Sequence, residues 1–252
     1  MYPYLIQSNT ITIGSYGLML AIAYLTGRWY FLGVLNKKIT RPINSEMLII
    51  ALLVLGVVGA KLMFLLKNPE QSHLIYSGIG FSSQGALLGA FLAVYLFCYF
   101  NKVKLSTILD SAAPAAILAY AIARVGCFLS GDDCYGIVTD LPWAMSFPNG
   151  IKPTVEHVHP VPIYEIIYSI FIFYILAKRQ NDSYKPYTQI FTLLGLWGFF
   201  RFFVEFVSTN EKLVFSMSGS QIGALFMFFV SMIFFTLFIA KQKALSNNKK
   251  PR

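Results

Sequence analysis

Residues 47–66 read Met47-Leu-Ile-Ile-Ala-Leu-Leu-Val-Leu-Gly-Val-Val-Gly-Ala-Lys-Leu-Met-Phe-Leu-Leu66, an apolar run whose single charge is Lys61. A helix rises about 1.5 Å per residue, so this run is about 30 Å long, the thickness of a bilayer's hydrocarbon core. Six further runs repeat the pattern: Ile11–Phe31, Gln84–Phe100, Ser106–Leu129, Val161–Ala177, Thr188–Val207 and Ser220–Ala240. Of the 252 residues, 56% are hydrophobic and 12% charged, about half the charged share of a soluble domain. A soluble fold of this size has no interior large enough for that surface, whereas lipid solvates it directly. The predicted fold class is an all-α polytopic membrane protein of about seven transmembrane helices. No repeat or linker divides the chain, so residues 1–252 read as a single integral membrane domain.

The connections set the expected direction. No Lys or Arg precedes the first run; then come Lys37, Lys38 and Arg41, then Lys67, then Lys102 and Lys104, then Lys152. Lys178, Arg179 and Lys185 follow, then Lys212, then Lys241, Lys243, Lys249, Lys250 and Arg252. Rich and poor loops alternate, the positive-inside pattern, which predicts the N-terminus outside and the C-terminus in the cytoplasm. That alternation needs an odd number of spans, and it accounts for the net charge of +9 without a nucleic-acid partner. No basic stretch followed by a cleavage site opens the chain and no lipidation signal ends it, so no removable signal peptide is expected. Cys98, Cys127 and Cys134 are too few and too scattered for a disulfide framework. No Cys/His cluster has metal-ligand spacing, so neither metal nor cofactor is expected. The connection at about 130–160, predicted to lie outside, is long and aromatic enough (Tyr135, Trp143, Phe147) to be ordered and functional.

Charges within the runs point to chemistry. Arg28 lies near a span end and is read as snorkelling to the interface; Lys61 either snorkels or faces the interior. Arg124 and Arg201 sit deeper, and each costs on the order of 3 kcal/mol at a helix centre, so partners are expected. Two readings stand. In one, Arg201 pairs with Glu205, four residues on along the same helix face, and braces the bundle. In the other, the two arginines form a forked clamp for a phosphate. The segment Arg124-Val-Gly-Cys-Phe-Leu-Ser-Gly-Asp-Asp-Cys-Tyr-Gly136 ends a helix in a glycine-broken turn, where Asp132 and Asp133 either cap the turn or belong to a site. Gly85 and Gly89 have the GxxxG spacing of closely packed membrane helices. His159-Pro-Val-Pro-Ile-Tyr-Glu165 opens the fifth run, with Glu165 as cap, dipole partner or site residue.

Together these segments resemble the bacterial prolipoprotein diacylglyceryl transferase family, in order and across nearly the whole chain. The resemblance rests on Arg124 to Gly136, His159 to Glu165, Phe200-Arg-Phe-Phe-Val-Glu-Phe206, Tyr16-Gly-Leu-Met19 and Gly59-Ala-Lys61. It implies a multi-pass enzyme of the bacterial plasma (inner) membrane. Such an enzyme transfers the diacylglyceryl group of phosphatidylglycerol to the lipobox cysteine thiol of a prolipoprotein signal peptide. A thioether forms and glycerol phosphate leaves. The implied partners are phosphatidylglycerol, prolipoprotein signal peptides and other membrane lipids. Arg124 and Arg201 would hold the donor phosphate, with Tyr16, Gly136 and Glu205 at matching binding positions.

The chain departs from the family pattern at several of these places. Gln84 stands where the family usually has histidine, Cys127 where it has asparagine, Trp197 where tyrosine is frequent and Ser208 where a further arginine is frequent. The signature turn is one residue longer, so its acidic residue maps to Asp132 or Asp133. Because Gln84 is no base, His159, Asp132, Asp133 or water would take the acceptor proton. The retained arginines still supply charge stabilisation for the departing phosphate. Competing readings are an anion pathway lined by the same arginines, or a silent member that binds lipid or signal peptide without turnover.

Overall fold

The computed structural model describes residues 2–7, 12–39, 43–70, 80–181, 185–214 and 216–247. Ile11, the predicted edge of the first run, lies outside these residues, as do Arg41, Lys249, Lys250 and Arg252 from the loop charges. Among the described residues seven helices are long and apolar enough to cross a membrane. They are α1 (Ser15–Lys38), α2 (Ser45–Lys67), α3 (Ser83–Asn101), α4 (Leu105–Ser130), α5 (Val161–Lys178), α6 (Thr188–Val204) and α7 (Gly219–Asn247). The predicted first run differs at both ends. Its start is not helical: β1 (Tyr4–Gln7) pairs antiparallel with β2 (Thr12–Gly14), and β-branched Ile13 suits that strand. Its helix then runs on to Lys37 and Lys38, whose long stems and cationic heads suit a helix C-terminus.

Packing divides the chain into two compact units, Met1–Trp29 with Ala112–Arg252, and Tyr30–Ser111. In the second, α2 and α3 touch backbone to backbone. A Cβ on Gly85 would lie 2.1 Å from Gly59 O, and one on Gly89 would lie 1.9 Å from Leu55 O. The GxxxG spacing is therefore used for close helix approach. Lys61 Nζ stands 4.9 Å over the Phe81 ring.

In the first unit, α1 meets α4 where Gly126 lies against Met19 and Tyr16; a Cβ there would be 3.0 Å from Met19 Cβ. Pro162 sits in the first turn of α5, where a missing N–H costs nothing. Tyr168 and Phe200 stack between α5 and α6 with ring centroids 5.6 Å apart. Gly198 admits α7, since a Cβ there would lie 2.5 Å from Ala224 O. Between α4 and α5, β3 (Met145–Phe147) pairs antiparallel with β4 (Thr154–Val158). Phe147, 1% exposed, packs its ring on Phe128 and Tyr135. Beside that hairpin, Ile151 N donates to Ser130 O and Lys152 N to Gly131 O, both at 2.9 Å. These bonds satisfy carbonyls that the end of α4 leaves open. A last hairpin, β5 (Lys212–Val214) with β6 (Met217–Ser218), leads into α7.

Candidate active site

The site is built on the ends of α4, α5 and α6. Glu165 stands one turn into α5, its side chain 0% exposed, and it joins both arginines. Arg124 Nε lies 2.7 Å from Glu165 Oε2, and Arg201 Nη1 pairs with Glu165 Oε1. The Tyr120 hydroxyl donates to the same Oε1 at 2.9 Å. Tyr120 is one turn before Arg124 on α4, and the Arg124 guanidinium lies 4.9 Å from its ring centroid, a cation–π contact. Arg201 continues the chain of charge: its Nη2 lies 2.7 Å from Glu205 Oε2.

Glu205 is held in turn. It opens the 3-10 turn Glu205–Val207 that ends α6 and accepts hydrogen bonds from Asn210 Nδ2 at 2.6 Å and Ser218 Oγ at 2.7 Å. Ser218 is also the N-cap of α7: Gln221 N donates to its Oγ at 3.1 Å and Ser218 N donates to Gln221 Oε1 at 2.9 Å. This is a reciprocal capping box. The start of α7 therefore anchors the carboxylate that anchors Arg201. Two guanidiniums and two carboxylates balance, so these charges lie inside an apolar bundle with no net charge among them.

Of the two readings of the arginines, the structure shows the ion pair. The Arg201–Glu205 pair is present, and the arginines do converge, but on a carboxylate of the protein. Arg124 is the more accessible, 21% exposed against 11% for Arg201. Tyr120 is the residue that the sequence did not bring to the site, and Glu165, for which a site role was one of three readings, is the carboxylate that both arginines share. A signal existed for each: Glu165 is an acid inside a run of Ile, Tyr and Phe, and Tyr120 lies four residues before Arg124 on one helix face.

The turn after α4 separates the two aspartates. Gly131 takes φ +57, and Asp133 takes φ +74, conformations in which the chain reverses. Asp133 turns outward and pairs with Lys152 Nζ. Asp132 turns inward, its carboxylate grouped with the sulfurs of Cys127 and Cys134; the three ligand atoms lie within 4.8 Å of one another. Arg124 Nη1 approaches both sulfurs, Cys127 Sγ at 3.8 Å and Cys134 Sγ at 3.7 Å. Hydrogen bonding with Cys127, together with burial, holds the Cys134 thiol above the usual cysteine range. All three cysteines are free. The reversal at Gly131 folds Cys134 back onto the last turn of α4 and so gathers these three groups, although their sequence spacing is not that of a Cys/His metal cluster. The Tyr16 phenol lies within electrostatic reach of Arg124, Cys127, Asp132 and Cys134.

Gly136 is buried where three segments meet. A Cβ on it would lie 2.1 Å from Val207 O and 2.9 Å from His159 Cβ. Gly136 N donates to His159 O at 2.8 Å, and Ile137 N to Val207 O at 2.9 Å. Only glycine lets the signature turn pass between the end of α6 and the start of α5. His159 Nδ1 lies 3.1 Å from the Tyr164 hydroxyl, which also accepts from Trp143 Nε1 at 2.8 Å. Among the described residues no hydrogen bond joins the His159 ring to the arginine–glutamate chain. Gln84 belongs to the other unit, where Lys67 Nζ donates to its Oε1.

Comparison with known proteins agrees with this arrangement. The family model described as prolipoprotein diacylglyceryl transferase matches residues 3–237. The phosphatidylglycerol–prolipoprotein diacylglyceryl transferase of Clostridium tetani is 30% identical over 251 residues, covering 94% of this chain and 98% of its own. The protein of the same name from Thermosynechococcus vestitus is 28% identical over 233 residues, covering 87% and 86% of the two chains. That of Leptospira interrogans is 26% identical over 228 residues, covering 78% and 72%. The match extends from the first hairpin into α7 and takes in both arginines, so the chain belongs to the prolipoprotein diacylglyceryl transferase family.

Proposed function

We propose that this chain transfers the diacylglyceryl group of phosphatidylglycerol to a cysteine thiol of prolipoproteins in the bacterial plasma membrane; its relatives' names give the donor, the acceptor protein and the group transferred. The observation that carries the reading is the chain Arg124–Glu165–Arg201–Glu205, which fixes two guanidiniums inside a membrane-spanning bundle. The reaction breaks the bond between a glycerol carbon and a phosphate oxygen. A phosphodiester becomes a phosphomonoester, so negative charge grows on the departing group. Pre-oriented cations in a water-poor site stabilise that charge most, and losing one such donor costs roughly 10²–10³ in kcat.

The two arginines divide the work. Arg124, the more exposed, meets the donor phosphate. Arg201 is a positioning residue: it holds Glu165, which through Arg124 Nε turns the guanidinium edge toward the substrate. Glu205, Ser218 and Asn210 hold Arg201, and Gly136 keeps the signature turn against the end of α6. Tyr16 borders the same space. Asp132 is the acidic residue of the turn that serves the site, whereas Asp133 serves the surface. The His159 ring contacts the Tyr164 hydroxyl, which Trp143 also reaches. The loop charges support an N-terminus outside, which puts the site in the outer half of the bilayer, where a prolipoprotein cysteine emerges.

The test is to incubate the purified protein with phosphatidylglycerol and a lipobox peptide and to follow the peptide mass. A gain of one diacylglyceryl group on cysteine, lost in Arg124→Ala, is expected. An unmodified peptide would overturn the proposal, and phosphatidylglycerol binding without turnover would favour a silent binding member.

A further inference from the structure

The arginine–glutamate chain leaves one group of reactive side chains unused: Cys127, Asp132 and Cys134. Their ligand atoms lie within 4.8 Å of one another. In a tetrahedral zinc site with bonds of about 2.3 Å to sulfur, two sulfurs stand about 3.8 Å apart. The group is therefore within roughly 1 Å of ligating geometry, a shift that side-chain rotation supplies. We propose that Cys127, Asp132 and Cys134 bind a single thiophilic divalent cation, Zn²⁺, whose fourth position takes the acceptor cysteine thiol.

Four features of the molecule carry this. The donor set is two sulfurs and one carboxylate oxygen, which suits Zn²⁺ and is wrong for Mg²⁺ or Ca²⁺ with their all-oxygen shells. Three protein ligands with one open position is the arrangement of zinc sites that do chemistry, whereas structural sites are closed by a fourth ligand. A cation also stands beside the donors: two thiolates, one carboxylate and Zn²⁺ sum to −1, and the Arg124 guanidinium faces both sulfurs. Its approach at 3.8 and 3.7 Å is the outer hydrogen bonding that metal-bound thiolates use. Finally, the turn is held in advance. Gly131 N donates to Cys127 O at 3.0 Å, Lys152 N donates to Gly131 O at 2.9 Å, and Gly150 packs on Gly131. Cys127 is buried while Cys134 and Asp132 are half-exposed, so a peptide sulfur has one side from which to enter.

The consequence, which rests on the transferase reading, is that no side chain need act as base at the position of Gln84. A coordinated thiol is deprotonated by the metal, and its proton passes to water. The thiolate sulfur then forms the bond to the glycerol carbon. The carbon–oxygen bond to phosphate breaks, and its electron pair leaves with glycerol phosphate beside Arg124.

The test uses the full-length protein in detergent, reduced with a phosphine and stripped of metal, then titrated with Co²⁺ alone. One equivalent is expected to bind with a thiolate-to-cobalt charge-transfer band and the visible bands of tetrahedral Co²⁺. Cys127→Ser and Cys134→Ser are expected to abolish these bands. Cys134→His, which restores a ligand, is expected to recover tetrahedral binding, and Cys98→Ser to leave it unchanged. Adding a lipobox peptide, without lipid, is expected to strengthen the charge-transfer band, and the Cys→Ser peptide is not. No cobalt binding by the reduced, monodisperse protein would overturn the site, as would a Cys127–Cys134 disulfide found when thiols are alkylated before lysis. Cobalt binding that ignores the peptide would overturn the acceptor role. A peptide-dependent spectrum with no lipid transfer would instead leave the site standing and remove the transferase reading.

Discussion

Replacing Glu165 by glutamine keeps the shape of the side chain and removes one charge. Glu165 is fully buried and shared by Arg124 and Arg201, with the Tyr120 hydroxyl as a third partner. In the wild type the two guanidiniums and two carboxylates cancel. In Glu165→Gln the site carries a net +1: Arg201 keeps Glu205, but Arg124 loses its carboxylate. Removing one partner of a buried ion pair costs about 3–5 kcal/mol. The expectation here is about 3 kcal/mol, because Arg124 is partly exposed and water reaches it. Arg201→Gln unbalances the site in the opposite sense, and the double variant returns it to neutrality. The three variants therefore form a cycle whose coupling is expected at about 1–3 kcal/mol, with the double variant less damaged than the sum of the singles. The measurement is reversible denaturation in a mixed micelle, followed by far-ultraviolet circular dichroism. Single-variant costs that add within about 0.5 kcal/mol would refute the shared-carboxylate argument. So would a Glu165→Gln cost no larger than that of an ordinary surface change.

Other perturbations test neighbouring parts of the account. Arg124→Lys is expected to lose most of its transfer activity, roughly 10²-fold or more, because lysine cannot hold Glu165 through Nε and still face the sulfurs; wild-type turnover would contradict this. Gly136→Ala drives a Cβ to 2.1 Å from Val207 O, and is expected to lower both folded yield and activity. Gly89→Ala meets Leu55 O at 1.9 Å and is expected to cost about 1–3 kcal/mol through overpacking, read by thermal unfolding. The Asp133 carboxylate holds the Lys152 ammonium above its ordinary value. A raised lysine contributes stability below the unfolded value of about 10.4 and loses it as pH climbs through the folded value. Asp133→Asn is therefore expected to show a slight stability deficit at neutral pH that vanishes in alkali. A deficit that grows above that range would contradict the pairing.

The seven spans were legible because a bilayer imposes a length and a composition on each helix, and both are visible in a run such as Met47–Leu66. The arginines were legible for the opposite reason, since a guanidinium inside such a run is conspicuous. Their partner was less so. Glu165 and Arg201 are 36 residues apart, and only the packing of α4, α5 and α6 shows that one carboxylate serves both arginines. The division between Asp132 and Asp133 depends on a left-handed residue at Asp133, which neighbouring identical side chains do not reveal. His159 stood beside Asp132, Asp133 and water as a candidate base; in the fold its ring contacts the Tyr164 hydroxyl, which Trp143 also reaches, a partnership across the loop that the sequence does not show. The sulfur–carboxylate group is not visible as a spacing because it straddles a helix end, where Gly131 reverses the chain and closes the gap from Cys127 to Cys134.

The central claim is that Arg124, oriented by Glu165 and Arg201, stabilises a phosphate leaving a diacylglyceryl group. The most direct measurement is the mass of a lipobox peptide after incubation with phosphatidylglycerol and either wild-type protein or folded Arg124→Ala. The account predicts one diacylglyceryl adduct on the peptide cysteine with the wild type and none with the variant. A peptide left unmodified by the wild type, or modified equally by both proteins, would contradict it.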